Sequence, residues 1–322
     1  MPRYILVEKG SYYIMKLYAP KYYKDFICIA DKCKHSCCIG WEIDIDENSM
    51  DVYSSLDGIY SDEIRESIEN TYPPHFRLTS NDRCPHLDER GLCRIICTRG
   101  DAYLCDICRE HPRFYNHVGE GLEVGIGMSC EEACRIILTS DSCFDIVELG
   151  ETEDEIPESV TEGGFEPIKC RDTVYSILNN SSLEYSEKLE AVYSAFGVSP
   201  SLLSDAEWKD TISSLEYLDD SHKLHFSLYS SDIRSPKEYE NILLRALTYF
   251  VYRHCAKAYD YNDFQASLGM CLFLERLLAS VLKSKEFCSI EYILECARVI
   301  SEEIEYSEDN TEMIKTEFLI RG

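Results

Sequence analysis

The stretch CIADKCKHSCCIGW, residues 28–41, sets Cys28, Cys33, Cys37 and Cys38 along one short segment, with four and then three residues between successive thiols. Such spacing wraps thiols around a small sphere on a loop or a single helical turn. The adjacent pair cannot point both side chains at one ion from a regular helix, so one of the two is expected to face a second site or an adjoining metal. Gly40 permits a tight turn before Trp41.

Further along, CPHLDERGLCRIICTRGDAYLCDICREHPR, residues 84–113, holds Cys84, Cys93, Cys97, Cys105 and Cys108, and SCEEACR adds Cys130 and Cys134. Cys105-x-x-Cys108 is a chelating spacing, and Cys93-x-x-x-Cys97 is a second candidate. Thiolates are soft donors that favour zinc or iron–sulfur clusters. His35, His86 and His111 lie beside these groups as candidate zinc ligands, although a lone histidine is more often an ordinary one. Buried cysteines serving as small apolar residues are the plainer alternative.

Twelve of the seventeen cysteines fall between Cys28 and Cys143. The remaining five, Cys170, Cys255, Cys271, Cys288 and Cys296, are scattered. The start, Met1 to Lys9, has no apolar leader core, so a reducing cytoplasmic setting is expected, where clustered cysteines point to metal or redox chemistry rather than disulfides. An odd count also forbids complete internal pairing.

The 322 residues carry 59 acidic against 32 basic side chains, a net charge of −27. That field repels phosphate backbones and argues against nucleic-acid binding. It would attract a basic, lysine-bearing protein partner, and it keeps the chain soluble whatever else it does. The longest apolar run, Ala266–Leu282, is interrupted by Glu275 and Arg276 and reads as a buried helix, not a membrane span.

The expected fold is mainly α: a cysteine-rich metal- or cluster-binding N-terminal domain with little β structure (1–144), an acidic linker (145–168) and an α-helical domain (169–322). The linker reading rests on VELGETEDEIPESVTEGGF, which has no lysine or arginine and contains Pro157, Gly163 and Gly164. In the last part, Leu183, Leu189, Val192 and Phe196 suit a helix closed by Gly197. Leu243, Leu247, Phe250 and Val251 suit a second, Leu268 to Leu282 a third, and Ile290, Leu294, Ala297 and Ile304 a fourth. Near the start, Tyr4–Val7 and Tyr12–Leu17 flank Gly10 as a candidate hairpin.

The order of these motifs resembles the flagellin lysine-N-methylase family, which carries a cysteine-rich zinc- or iron-chelating segment ending in a double cysteine. The matching strings are YAPKYYKDFICIADKCKHSCCIGWEIDID, CPHLDERGLC, CREHPRF and MSCEEACRI, within about Ile14 to Ile137, and EYENILLRALTYFVYRH is similar to the family's helical part. The resemblance implies methyl transfer to lysine side chains of flagellin or another lysine-rich protein, with S-adenosylmethionine as donor and a cysteine-ligated 4Fe-4S or zinc site. It implies Cys28, Cys33, Cys37, Cys38, Cys84, Cys93, Cys108 and Cys130 as ligands, as one site or two. Cys97, Cys105 and Cys134 stand outside its pattern.

An ordinary methyl-donor site needs a strand, a glycine loop and a helix. The nearest string, GIGMSC from Gly125, lacks the third glycine. Methyl transfer also needs a neutral lysine amine in line with the methyl carbon and an acceptor for its proton. Asp44, Asp46, Glu131 and Glu132 are candidates, each more readily a surface acid or helix cap; Arg109 and Arg113 are candidates for a donor carboxylate or a thiolate cluster, though a structural ion pair is the plainer reading, and Trp41 is a candidate for stacking, with packing the better fit. Two further readings compete with a methylase: a non-catalytic metal-chelating scaffold or metal-handling protein, and a dithiol redox protein built on Cys105 and Cys108. The charged residues and Pro112 after Cys108 disfavour the last.

Overall fold

A computed structural model describes residues 12–119, 121–155, 164–231 and 235–321. It is mainly α-helical with a small mixed sheet. The chain enters through β1 (Tyr12–Pro20) and then leaves the sheet. It makes a cysteine-rich module with helices α1 (Glu47–Ser55) and α2 (Ser61–Ser67), the two-residue strands β2 (Ile68–Glu69) and β3 (His75–Phe76), and helices α3 (Arg94–Arg99) and α4 (Asp106–Glu110). It returns as a hairpin of β4 (Arg113–Val118) and β5 (Gly121–Ile126), then α5 (Glu131–Thr139) and β6 (Ile146–Glu155). The sheet order is β4-β5-β1-β6, with β1 parallel to β5 and antiparallel to β6. The module is thus an excursion between two strands of one sheet.

Among the described residues eight α-helices follow: α6 (Pro167–Leu178), α7 (Tyr185–Phe196), α8 (Asp205–Ser214), α9 (His222–Phe226), α10 (Glu240–His254), α11 (Tyr261–Lys283), α12 (Ile290–Ile300) and α13 (Glu308–Arg321). A π-helical turn, Ser301–Glu305, joins the last two. The helices read from apolar spacing are all present. Gly197 closes α7 with φ of 69°, a conformation that costs glycine little. Helix α11 is long and apolar enough to cross a membrane by length and composition, yet it lies buried among its neighbours, as a core helix does.

Apolar packing forms two cores among the described residues. One core runs from Ile126 and Met128 through α5 into all the major helices, so β5 and α5 belong to the helical body. A second, much smaller core lies inside the cysteine module: Ile43, Ile45, Tyr53, Leu56, Tyr60, Ile64, Ile68, Phe76 and Ile95, together with Cys84 and Cys105. Within the segment expected as an acidic linker, Ile146–Glu155 forms strand β6, which pairs with β1 from Tyr12↔Glu155 to Pro20↔Ile146. Main-chain pairing needs no apolar alternation, and an edge strand rich in carboxylates stays in water. The first limb of the expected hairpin, Tyr4–Val7, lies outside the described residues; the second is β1, whose partners are β5 and β6.

Buried ionic contacts tie the sheet to the helices. Arg171 on α6 makes a two-pronged contact with Glu123 on β5, at 2.6 and 2.7 Å. Both side chains are buried, so the geometry must compensate for two desolvated charges.

Candidate metal centre

The module's own core is small, and Cys84 and Cys105 are part of it. Its backbone also carries strain. Ala30, Tyr60 and Asp82 have φ of 50°, 66° and 51°, and no other non-glycine residue among the described ones has positive φ. Left-handed backbone costs an L-residue roughly 1–2 kcal/mol and persists only where the surroundings over-determine it.

The thiols gather at two places. Cys38, Cys84, Cys93, Cys105 and Cys108 all pack in or against the module's small core. The Cys84 amide donates to the Cys38 carbonyl at 2.8 Å, and the amide of Gly40 donates to Asp82 at 2.8 Å, which lays residues 38–40 along residues 82–84. Cys93 and Cys105 begin α3 and α4 as their N-caps. Cys130 does the same for α5 but packs against the helical body. Cys33 reaches it from the loop: its Sγ lies 3.7 Å from the carboxylate of Glu131, which also accepts the Lys34 amide at 2.8 Å.

Burial pushes the Cys84 thiol up to about 12 and the Cys33 thiol up to about 11, with neighbouring thiols adding to both shifts. Burial also raises Cys93 and Cys130. Cys38 moves the other way, to about 7, chiefly because the Cys37 thiol donates to it. Backbone amides meanwhile favour the thiolates of Cys33, Cys84, Cys93, Cys105 and Cys130. The Arg83 cation also favours the Cys38 thiolate. The buried hydroxyl of Ser129, one residue before Cys130, has no partner among the described residues. Cysteine thiolates are the type of donor that zinc and iron–sulfur clusters take. Among the described residues no group of three or more His, Cys, Asp or Glu side chains is placed so that it could hold a metal ion.

The histidines beside the cysteines are occupied otherwise. His86 uses both ring nitrogens, with Tyr60 Oη at 2.8 Å and Ser67 Oγ at 2.9 Å. His35 Nε2 meets Glu295 on α12 at 3.0 Å. His111 packs its ring against Trp41 and Tyr306, with centroids 5.9 and 6.4 Å away. Trp41 packs the cysteine loop, its indole donating to the Cys37 carbonyl at 2.9 Å.

The candidate acids are likewise engaged. Asp46 caps two helices at once, accepting from Ser49 of α1 and from Asp106 of α4, each at 2.9 Å. Glu132 pairs with Arg135 at 2.6 and 2.7 Å. Asp44 is exposed and bridges to His75 through the backbone. Arg109 pairs with Asp106, and Arg113 donates to Tyr23 Oη at 3.0 Å.

GIGMSC does form a strand, a loop and a helix, but both glycines serve packing. A Cβ on Gly125 would sit 2.2 Å from the ring of Phe114, its cross-strand partner. One on Gly127 would meet Tyr306 Oη at 2.4 Å and Arg253 Nη1 at 2.7 Å. Nor does β6 continue a parallel sheet after α5, because it runs antiparallel at the far edge.

Behind this loop lies a network that the sequence pattern does not reveal. Arg253 lies between the rings of Phe114 and Tyr306, 4.8 and 4.9 Å from their centroids. It approaches Glu305 at 3.4 Å, and Glu305 accepts from His254 at 2.6 Å and Tyr249 at 3.2 Å. Although burial works against its charge, Arg253 and His254 hold the Glu305 carboxyl below its ordinary range. The acid sits on the π-turn, and such turns frequently mark functional sites. The signal that could have found it is the basic end of α10, Arg253–His254, facing an acid run at residues 302–305.

The chain is 27% identical to the flagellar biosynthetic protein FliU of Salmonella muenchen over 157 residues, covering 47% of this chain and 91% of that protein. It is 26% identical to the lysine-N-methylases of Salmonella choleraesuis and Salmonella typhimurium over 136 residues, 40% of this chain but only 34% of each of theirs. No family model and no solved structure matches it. The chain thus spans about a third of the length of the lysine-N-methylases that it matches.

Proposed function

We propose that the protein is a protein-lysine N-methyltransferase that modifies flagellin or another lysine-rich protein, takes its methyl group from S-adenosylmethionine and carries a thiolate-bound iron–sulfur cluster or zinc. The likeness to two lysine-N-methylases carries this reading. The net charge of −27 agrees with it, since an acidic surface draws in a lysine-bearing partner. In the reaction, the lysine nitrogen forms a bond to the methyl carbon as the carbon–sulfonium bond breaks, the thioether leaves and the amine's proton passes to a base. A bound metal would be held by the cysteines and would fix the loops around it.

The test is incubation of the anaerobically purified chain with flagellin and S-adenosylmethionine, followed by intact-mass and peptide mass spectrometry. Methyl increments on lysines are expected. Their absence with flagellin and with other lysine-rich proteins would overturn the methylase reading.

One observation favours the alternative, a non-catalytic metal-chelating scaffold. The glycine loop after β5, where an ordinary donor site would lie, is filled by Tyr306 and Arg253. A chain that binds metal but no S-adenosylmethionine in calorimetry would decide for the scaffold.

A further inference from the structure

We propose that the pocket between α9, α11 and α12 binds a primary alkyl amine, that His222 accepts a hydrogen bond from the amine nitrogen, and that the pocket receives the side chain of the lysine to be modified. The last of these rests on the methylase reading above; the amine site itself does not.

Size and walls select the ligand. The pocket is half-open and measures about 100 Å³. Pockets for ligands of nucleoside size run to about 300 Å³ or more, so this one takes a single side chain and not the methyl donor. Phe226 of α9, Val281 of α11, and Val299 and Ile300 of α12 line it, and all four are buried. Such walls favour an aliphatic stem and penalise a polar one.

The polar side is arranged to accept. His222 Nδ1 lies 2.6 Å from Oε1 of Glu303, a residue of the π-helical turn that is 1% exposed. An ionised carboxylate only accepts, so Nδ1 carries the proton, and Nε2 of the neutral ring is left as an acceptor. Three further contacts fix this pair in place. Glu303 accepts the amides of Leu218 at 2.7 Å and Asp219 at 3.2 Å, and its main-chain carbonyl accepts from Asn310 Nδ2 at 2.6 Å. Among the described residues no lysine or arginine pairs with Glu303. A buried carboxylate behind the ring therefore favours a cation in front of it and disfavours an anion. Glu295 sets a second carboxylate on the lining, oriented by Arg298 at 2.9 and 3.0 Å and by His35 at 3.0 Å. Tyr292, Cys296 and the exposed His225 are the other titratable groups there, and Asp219 stands beside His222.

An alkyl amine matches both features at once. Its stem meets the apolar walls, and its nitrogen donates to Nε2. Transfer of one ammonium proton to Nε2 leaves a neutral amine and an imidazolium paired with Glu303, the state in which a lysine nitrogen can take a methyl group.

The experiment is methyl NMR of the full chain with isotope-labelled valine and isoleucine, titrated at fixed pH with n-butylamine, the lysine side chain without its backbone. The methyl resonances of Val281, Val299 and Ile300 should shift saturably with n-butylamine and stay in place with butyrate, an anion of similar length. Cys296→Phe fills the pocket and should abolish the shifts. His222→Asn keeps a donor for Glu303 but not the ring acceptor, and should weaken binding about tenfold, the scale of one hydrogen bond. No saturable shift in the folded, unaltered chain, equal shifts with butyrate, or unchanged affinity in both variants would overturn the site.

Methylation of flagellin separates the amine site from the methylase reading. Cys296→Phe should lower kcat/KM for methylation about a hundredfold, because the lysine is no longer held in place. Methylation at full rate by that variant would overturn the assignment of the lysine to this pocket. A chain that binds n-butylamine here and methylates no protein would keep the amine site and overturn the methylase reading.

Discussion

The carboxylate of Glu131 accepts the backbone amide of Lys34 at 2.8 Å, joining the first residue of α5 to a loop 97 residues earlier in the chain. This contact clamps the double-cysteine loop to the helical body, and His35 adds a second clamp at Glu295 of α12. Glu131 is therefore a positioning group for the loop.

Removing that clamp should free the loop without unfolding the body. Glu131→Ala is expected to cost about 1 kcal/mol, the scale of a charge-assisted hydrogen bond at a partly exposed site. Hydrogen exchange should accelerate at Lys34 and its neighbours and stay unchanged in α10 and α11. Uniform acceleration throughout the chain would show that the contact does more than hold a loop.

The Arg171–Glu123 pair makes a second prediction. Both groups are buried and joined by two hydrogen bonds. Cutting one partner leaves an uncompensated buried charge, so Glu123→Leu should destabilise by about 3–5 kcal/mol in urea unfolding. The double variant Glu123→Leu/Arg171→Met should regain most of that loss, because two apolar side chains replace the pair without an orphan. A double variant as unstable as the single one would mean that the pair is needed for the packing of α6 on β5.

Which parts of this molecule were legible from sequence follows from what each depends on. Helices α7, α10, α11 and α12 announce themselves because each buries a repeating apolar stripe, and Gly197 marks its own cap. Strand β6 does not, because main-chain pairing to β1 defines it and its side chains read as a solvated acidic run. The cysteines stand out as a donor set, but their grouping depends on how a long excursion from the sheet folds back. Cys105 shows the difference: its spacing to Cys108 was chelating, yet it lay outside the family pattern, and the fold buries it beside Cys84. The Arg253–Glu305–His254 network joins residues about fifty positions apart and leaves no local pattern.

His86 gives a pH dependence. Burial, with the nearby Arg94 cation adding to it, depresses its value from the ordinary 6.5 to about 4. The neutral ring donates to one of its two hydroxyl partners and accepts from the other. The folded value lies below the unfolded one, so the stabilisation is complete above pH 6.5 and is lost as pH falls toward 4. The loss is about 3 kcal/mol, from the shift at 1.36 kcal/mol per pH unit. Urea midpoints between pH 4 and pH 7 should fall with acid in the unaltered chain, and His86→Gln should flatten that slope. An unchanged slope would assign acid sensitivity to other groups, such as His111, which burial and Arg253 depress similarly.

Gly127 separates packing from cofactor binding in the strand–loop–helix turn. An added methyl group would meet Tyr306 Oη at 2.4 Å and Arg253 Nη1 at 2.7 Å. Neither can swing away freely, since Arg253 is packed between two rings and bonded to Tyr249 at 3.0 Å. Gly127→Ala should therefore destabilise the chain by about 1–3 kcal/mol, the usual cost of overpacking. Tyr306→Phe removes the nearer of the two atoms, so the double variant should recover part of the loss, a coupling that urea unfolding of the four chains measures directly. If Gly127→Ala kept full stability and instead lost affinity for S-adenosylmethionine in calorimetry, the glycine would be a cradle for the donor and the loop would have to open to receive it.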